Sequence, residues 1–471
     1  MKKEIKISRR QMLRMSAMVG GGAFMAACGA PAAPAATAKP LAAAPTVAPA
    51  VSKGGVMQVL NRQEYFPALQ EAIQSLTEKY IKSQGFEADV SAVNPEVFGD
   101  FQAKMQAAVS AGNPPDLAYH TTSVSQMYDN NLCADMTGIV EELVKKYGAI
   151  VPANAASNAQ IQGKWWSAPL QSNSGSWFVR KDVAGAAGVD LTKFSKFEDR
   201  LAGAVKMSNP AKEMFGWGMT VNKSGDGNGL VTTAFQAFGG RAVDESGKKI
   251  VFNSPETVAG IKWLADVYKD AKYKSVLPPG VESWTDTGNN EAYLAGKLAM
   301  TTNAFSVYAK AKKDGNPVYP LTAVVAFPTT NDGKLELGTG ANAWYTIFRG
   351  AKQAAGAQKL ISYIIDPAVF DGLTALGGGL FMPAYKNNWS DNMLKGDPAF
   401  PGLKTIMFSP STYNGFPYPA APNPAVDAWN ATSFLTDMMA NIITGKMTPE
   451  QAVADGAKIG ARIFEEKGFK Q

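Results

Sequence analysis

Behind Gly54-Gly55, the run Val56-Met57-Gln58-Val59-Leu60 is apolar, bounded by glycines and Asn61, and predicts a buried first strand. A polar and aromatic loop, Arg62 to Pro67, follows it. Leu69, Ile73, Leu76 and Tyr80 then recur at spacings of 4, 3 and 4, the stripe of an amphipathic helix that opens at Pro67 and ends near Gly85. Glu87 to Pro95 reads as a second strand, the segment through Phe101, Met105 and Ala108 as a second helix, and Pro115 to Ser123 as a third short strand. This alternation predicts an α/β fold whose parallel sheet is covered by helices on both faces. Further along, Lys164 to Val183 is extended and aromatic, and Val258, Ile261, Ala265 and Tyr268 keep helical spacing behind a Ser254-Pro255 cap. Thr448-Pro449-Glu450-Gln451 has the Thr and Gln of a capping box and starts a helix that runs to the C-terminus. Asp244 to Lys249 and Asn331 to Lys334 read as turns between short strands, and Gly225 to Gly229 (GDGNG) as a flexible turn.

The first residues obey a different logic. Lys2, Lys3, Lys6, Arg9, Arg10 and Arg14 precede the uncharged run Met15 to Ala27, which is too short to span a hydrocarbon core and has the layout of an export signal. Ser8 to Arg14 resembles a twin-arginine signal, with Met12 where Phe or Leu is usual. Met25-Ala26-Ala27-Cys28 resembles a lipobox, with Met25 in place of Leu, so Cys28 is expected to carry lipid. An ordinary secretory signal cleaved near Ala27 is the alternative. Residues 29–54, almost all Ala, Pro, Thr and Gly, predict a solvated tether. The signal holds six positive charges and Glu4, so it accounts for most of the chain's net charge of +6, and the mature protein is near neutral. With no cluster of basic and aromatic residues later in the chain, a nucleic-acid partner is not expected. Once Cys28 is lipidated, Cys133 has no disulfide partner and reads as a small buried apolar residue. The remaining residues, about 417 from Gly55 onward, are too many for one core, so two domains are expected.

Catalytic patterns are scarce. A single histidine, His120, rules out an H-E-x-x-H zinc helix, and no G-x-S-x-G elbow, P-loop or dinucleotide fingerprint is present. No metal or cofactor is expected. His120 follows a strand of an α/β unit, where ligands gather; a satisfied core histidine is the competing reading. Paired carboxylates of a glycosidase need not be near in sequence, so a tethered glycan-active enzyme stays open as a rival. Loops are rich in aromatic and amide residues, among them Trp217 in GWGMTVN, Trp284 in ESWTDTGNN and Asn342 in GANAWYT. Flat rings beside Asn, Gln, Asp and Glu suit sugars, whose faces are apolar and whose rims carry hydroxyls. About half of the aromatic residues are expected in the core.

Several segments together resemble the family 1 extracellular solute-binding proteins of ABC importers, the group that includes maltodextrin-binding proteins. They are KMQAAVSAGNPPDLAYHTT, QGKWWSAPLQSNSGSWFVRKDV, VFNSPETVAGIKWLADVYKD, YLAGKLAMTTNAFSVY, the stretch from Ala326 to Ile364, and LGGGLFMPAY, in the family's order. The resemblance implies a two-lobed periplasmic binding protein fold, with lobe 1 from 55–169 plus 328–380 and lobe 2 from 170–327 plus 381–471. Crossings are expected near Pro169 to Ser172, Phe327-Pro328 and Gly379 to Pro383, with hinge closure on a ligand. It implies ligand contacts at Gln63, Glu64, Tyr65, His120, Thr121, Asn173, Asn303, Gly340, Ala341, Asn342, Tyr413 and Trp429, with Trp217 and Trp284 as candidate sugar faces. Asn173 stands where maltodextrin binders use an acid, and Ser306 where they have a stacking Trp, which argues against maltodextrin itself. The implied protein is a monomeric, lipid-anchored receptor outside the cytoplasm, in the periplasm or at the cell surface, that captures a mono- or oligosaccharide and hands it to the permease subunits of an ABC importer. A charged solute such as a polyamine or glycerol phosphate is the rival ligand within the same fold.

Overall fold

The computed structural model describes residues 54–93, 98–338 and 340–471. The expected signal, Cys28 and nearly all of the tether lie outside them. Ten strands occur among the described residues: β1 (Val56–Arg62), β2 (Glu87–Val93), β3 (Leu117–His120), β4 (Gln160–Ile161), β5 (Lys164–Trp165), β6 (Ala168–Arg180), β7 (Met300–Ala304), β8 (Thr322–Val325), β9 (Gly340–Ile347) and β10 (Met382–Pro383). Eight of them form one sheet in the order β10-β6-β9-β3-β1-β2, with β7 and β8 also paired to β6; β4 and β5 make a separate hairpin.

The sheet is mixed, which corrects the parallel expectation. Only β1 pairs in parallel, with β2 and β3. β9 is antiparallel to both β3 and β6. The helical crossovers that enforce parallel pairing occur only in the first three strands; β9 arrives from a distant segment and no such connection fixes its direction.

β6 is the strand shared by the two halves of the molecule. Residues 168–174 pair with β9, and Gln171 and Ser172 also pair with β10. Residues 175–180 pair instead with β7 and β8. The register shifts between Pro169 and Gln171, where proline supplies no ladder donor. Two large cores flank this strand. One gathers Trp177, Trp217, Phe235, Phe252, Leu264, Trp429 and Phe464; the other gathers Val59, Leu69, Tyr119, Leu170, Tyr345, Ile361 and Phe381.

Local signals translate directly into helices. The helix Pro67–Ser83 has Pro at its start and buries Leu69, Ile73, Thr77 and Ile81. Leu76 and Tyr80 flank that stripe half-buried, and Tyr80 stacks on Tyr363 with centroids 4.3 Å apart. Ser254 caps the helix Pro255–Lys269 by accepting from Thr257 N at 3.2 Å. At Thr448 both capping-box bonds form, 3.3 Å to its hydroxyl and 3.0 Å to Gln451 Oε1. Such a cap contributes about 1 kcal/mol.

Gly225 to Gly229 is not a flexible turn but the start of the helix Gly225–Ala237. Ser224 caps it by accepting from Gly227 N at 3.0 Å, and Asp286 accepts from Gly225 N at 3.2 Å and Asp226 N at 2.8 Å. A carboxylate at the positive end of the helix dipole offsets the low propensity of three glycines. Gly227 is required by space, since a Cβ there would meet Asn222 O at 2.1 Å.

Cys133 is buried and its thiol is pushed up to about 12 by desolvation. Among the described residues no single helix is long and apolar enough to cross a membrane.

Candidate functional site

The carboxyl ends of parallel strands are where α/β folds gather ligands, and here the loop at the end of β3 looks onto a cleft of about 820 Å³ lined by residues from around both large cores. One wall consists of the loop Thr121–Ser123, Gln126, and Asn342 and Trp344 of β9. The other is built from Lys223 to Asn228, Asp286, Asn414 to Pro417 and Asp427 to Ser433.

His120 closes β3 and is fully buried. Its Nδ1 accepts from Thr122 N at 3.1 Å, so Nε2 carries the proton and donates to Thr346 Oγ1 at 2.7 Å. Burial pushes its pKa down to about 3. A neutral, doubly bonded imidazole has no valence left for a ligand, and its effect is to fix the loop that puts Thr121 and Thr122 on the cleft wall.

The loop after β1 is tied down. Tyr119 donates its hydroxyl to Glu64 Oε1 at 2.6 Å, Glu64 N donates to Gln70 Oε1 at 2.7 Å, and Gln63 N donates to Val93 O at 2.8 Å. Tyr65 is 40% exposed. Partial burial raises its hydroxyl pKa, opposed by Lys310 and by a side-chain hydrogen bond to Asn290. Asn303 lies in the same neighbourhood within an amide cluster. Its Nδ2 is 2.7 Å from Asn290 Oδ1, 3.0 Å from Asn289 Oδ1 and 2.9 Å from Asp226 Oδ2. Desolvation, with Asp286 nearby, pushes the Asp226 carboxyl up to about 7.

Gly340, Ala341 and Asn342 open β9 and pair with Ser174, Asn173 and Ser172 of β6. Asn342 donates to Ser172 Oγ at 2.7 Å and lines the cleft, and Asn173 is half-buried beside it. Trp284 is half-buried, and its carbonyl accepts from Thr220 Oγ1 at 3.0 Å.

Trp217, Tyr413 and Trp429 depart from expectation: each is fully buried. Trp217 Nε1 donates to Tyr268 OH at 3.2 Å, Tyr413 OH donates to Gln236 Oε1 at 2.6 Å, and Trp429 stacks on Phe434 at 4.9 Å. Large rings gain most by full burial, on the order of 2–3 kcal/mol each, and these three take it. Trp165, Trp177 and Trp344 are buried as well.

The neighbours of those rings face the cleft instead. Asn414, Phe416, Asp427 and Asn430 line it and were not read from the sequence. Asp427 reaches across: its Oδ2 accepts from Ser123 Oγ at 2.6 Å and from Ser125 Oγ. Burial raises its carboxyl pKa, against the lowering effect of the two serines. Asn154 also bridges the walls by donating to the Tyr413 carbonyl, and Lys467 pairs with Asp129 at 2.5 Å.

Residues 73–402 match the family described as bacterial extracellular solute-binding protein. The chain belongs to that family. Solved structures of similar fold include an ABC transporter solute-binding protein from Thermotoga lettingae TMO bound with alpha-D-tagatose, at 18% identity and TM-score 0.69, covering 88% of this chain and 100% of that one. Maltose-bound T. maritima MalE3 follows at 17% identity and TM-score 0.70, covering 87% and 100%. The GacH receptor of Streptomyces glaucescens, solved unliganded and with acarbose, has 17% identity and TM-score 0.68, covering 88% and 99%. No curated protein matches the chain. At these identities the likeness is one of fold, the two-lobed periplasmic binding protein fold, and membership of an extracellular family places the solute-binding chain outside the cytoplasm.

Proposed function

We propose that this solute-binding protein captures a carbohydrate in the cleft between its cores and delivers it to the permease of an ABC importer. The observation that carries the reading is the lining of the cleft, a set of hydroxyl and amide side chains that includes Thr121, Ser123, Gln126, Asn342, Asn414 and Asn430 and is matched to the hydroxyl rim of a sugar, while the largely buried Trp344 and Phe416 add little apolar face. Fold relatives crystallised with tagatose, maltose, ribitol and D-mannitol support it. Lobe 1 is taken as 55–169 with 328–380 and lobe 2 as 170–327 with 381–471, turning about the crossings through β6. Thr121 and Asn342, of the residues first read from the sequence, are the contacts in this reading, joined by Asp427 and Asn430. A monomer held to the membrane by lipid on Cys28, with residues 29–54 as its tether, lets the lobes work near the permease. It binds and releases its ligand without chemical change.

Native mass spectrometry of protein freshly purified from the expressing cells, followed by thermal shifts against sugars and polyols, tests the reading. A co-purified hexose or oligosaccharide mass, or a Tm that climbs with sugar concentration, supports it. Release of a hydrolysed or otherwise altered sugar would reject it in favour of an enzyme.

A further inference from the structure

Several buried polar atoms of residues that line the cleft have no partner among the described residues. Asn342 gives its NH2 to Ser172 and to backbone carbonyls, while its Oδ1 is buried with no partner among the described residues. Asn228 likewise gives Nδ2 to Asn430 at 3.0 Å and leaves Oδ1 without a partner. Thr122 Oγ1, on a side chain 1% exposed, is a third unpartnered atom on the same lining. Asp427 takes both serine hydroxyls on Oδ2, which leaves Oδ1 for a ligand.

Charge points the same way. Asp427 and Asp286 line the cleft and Asp226, next to the lining residue Gly225, keeps its proton up to about pH 7; none of the three forms an ion pair among the described residues. Two of them are compensated only by neutral groups: Asp286 by helix N–H donors, Asp427 by serine hydroxyls. Lys223 is the one basic side chain on the lining among the described residues; it is exposed and forms no ion pair with them, so its charge is screened by solvent. A protonated primary amine brings three donors and one positive charge and meets both deficits at once.

We propose that the ligand carries a protonated amine on a polyhydroxylated frame, as an amino sugar or an aminocyclitol does, and that Asp427 is the residue that selects the amine. This inference rests on the carbohydrate reading above and narrows it. The acceptors from both walls converge on the donor-bearing ligand, and a sugar acid or sugar phosphate is repelled by Asp427 and Asp286.

The test is calorimetry on the mature protein with matched neutral, amino and acid forms of glucose, galactose and mannose and of their disaccharides, with putrescine as an amine that lacks a polyol frame. The amino form of the best frame is expected to bind at least about tenfold tighter than the neutral form, with no measurable binding of the acid form. In Asp427→Asn the tenfold ratio should collapse toward one, and in Ser125→Ala, which keeps the carboxylate and frees it of one hydroxyl, the ratio should persist. A ratio that survives Asp427→Asn, or an acid form that binds as tightly as the neutral, overturns the inference. Neutral sugar bound with no gain from the amine overturns it too and leaves the carbohydrate reading standing. Putrescine bound with no sugar bound overturns both.

Discussion

Ser123 Oγ lies 2.6 Å from Asp427 Oδ2, a hydrogen bond between residues 304 apart in the chain that ties the loop after β3 to the helix Pro424–Asn430 on the facing wall. With the second bond from Ser125, a carboxylate that burial has stripped of water is held by two hydroxyls from the opposite side. Hydrogen bonds to a charged group contribute about 1.5–3 kcal/mol each, whereas the half-exposed Lys467–Asp129 pair contributes about 0–1 kcal/mol. The serines are therefore the stronger fastening. Replacing Ser123 and Ser125 together by Ala is expected to open the ligand-free protein, read as a larger radius of gyration in X-ray scattering, while Lys467→Ala changes it little. An unchanged radius in the double variant would reject the fastening.

His120 gives an unusually clean probe, because the chain has one histidine. Its folded pKa of about 3 lies below the ordinary 6.5, so the folded state binds fewer protons than the unfolded one between those values. Stability from this site is present above pH 6.5 and is lost as pH falls toward 3. The ring resonances in a proton–carbon NMR spectrum should not titrate between pH 8 and pH 4. A midpoint near 6.5 would mean that the imidazole is not held as described.

Asp226 works in the opposite sense. With its folded pKa at about 7 against an ordinary 3.8, the folded state keeps a proton that the unfolded chain gives up. Its contribution is fully present below pH 3.8 and is lost as pH rises through 7. Urea midpoints at pH 5 and pH 8 should therefore differ between wild type and Asp226→Asn, with the variant gaining relative stability at pH 8. Equal differences at the two pH values would count against a desolvated Asp226.

The start of the helix Gly225–Ala237 is tested by two alanines. Gly227→Ala must displace the Asn222 carbonyl and is expected to cost on the order of 1–3 kcal/mol. Gly229→Ala has open space around it and gains about 0.5–1 kcal/mol from helix propensity. Chemical denaturation reads both, and a stabilising Gly227→Ala would show that the segment is a loop.

What the sequence made legible was local. Pro67, Ser254 and Thr448 act on backbone groups within one turn, so their helices are readable from a few residues. The GDGNG segment was misread because the carboxylate that stabilises its helical start, Asp286, is 61 residues from Gly225. The direction of β9 is likewise set by partners far along the chain. At the cleft, the burial of Tyr413 and Trp429 is not legible locally: which face of Pro424–Asn430 is buried is decided by packing against Phe252, Phe434 and Phe464, and that packing leaves Asp427 and Asn430 on the cleft lining.

β6 changes partners between Ser174 and Gly175, and a Cβ at Gly175 would come within 3.1 Å of Asn303 O and 3.2 Å of the Phe327 ring. Any rotation of one core against the other must be absorbed by backbone torsions at that point, while the amides on either side stay locked in separate ladders. The strand thus acts as a strain gauge that needs no added label: slow hydrogen exchange from Ala168 to Arg180, interrupted by a fast step at the change of partner, would report how often the molecule flexes.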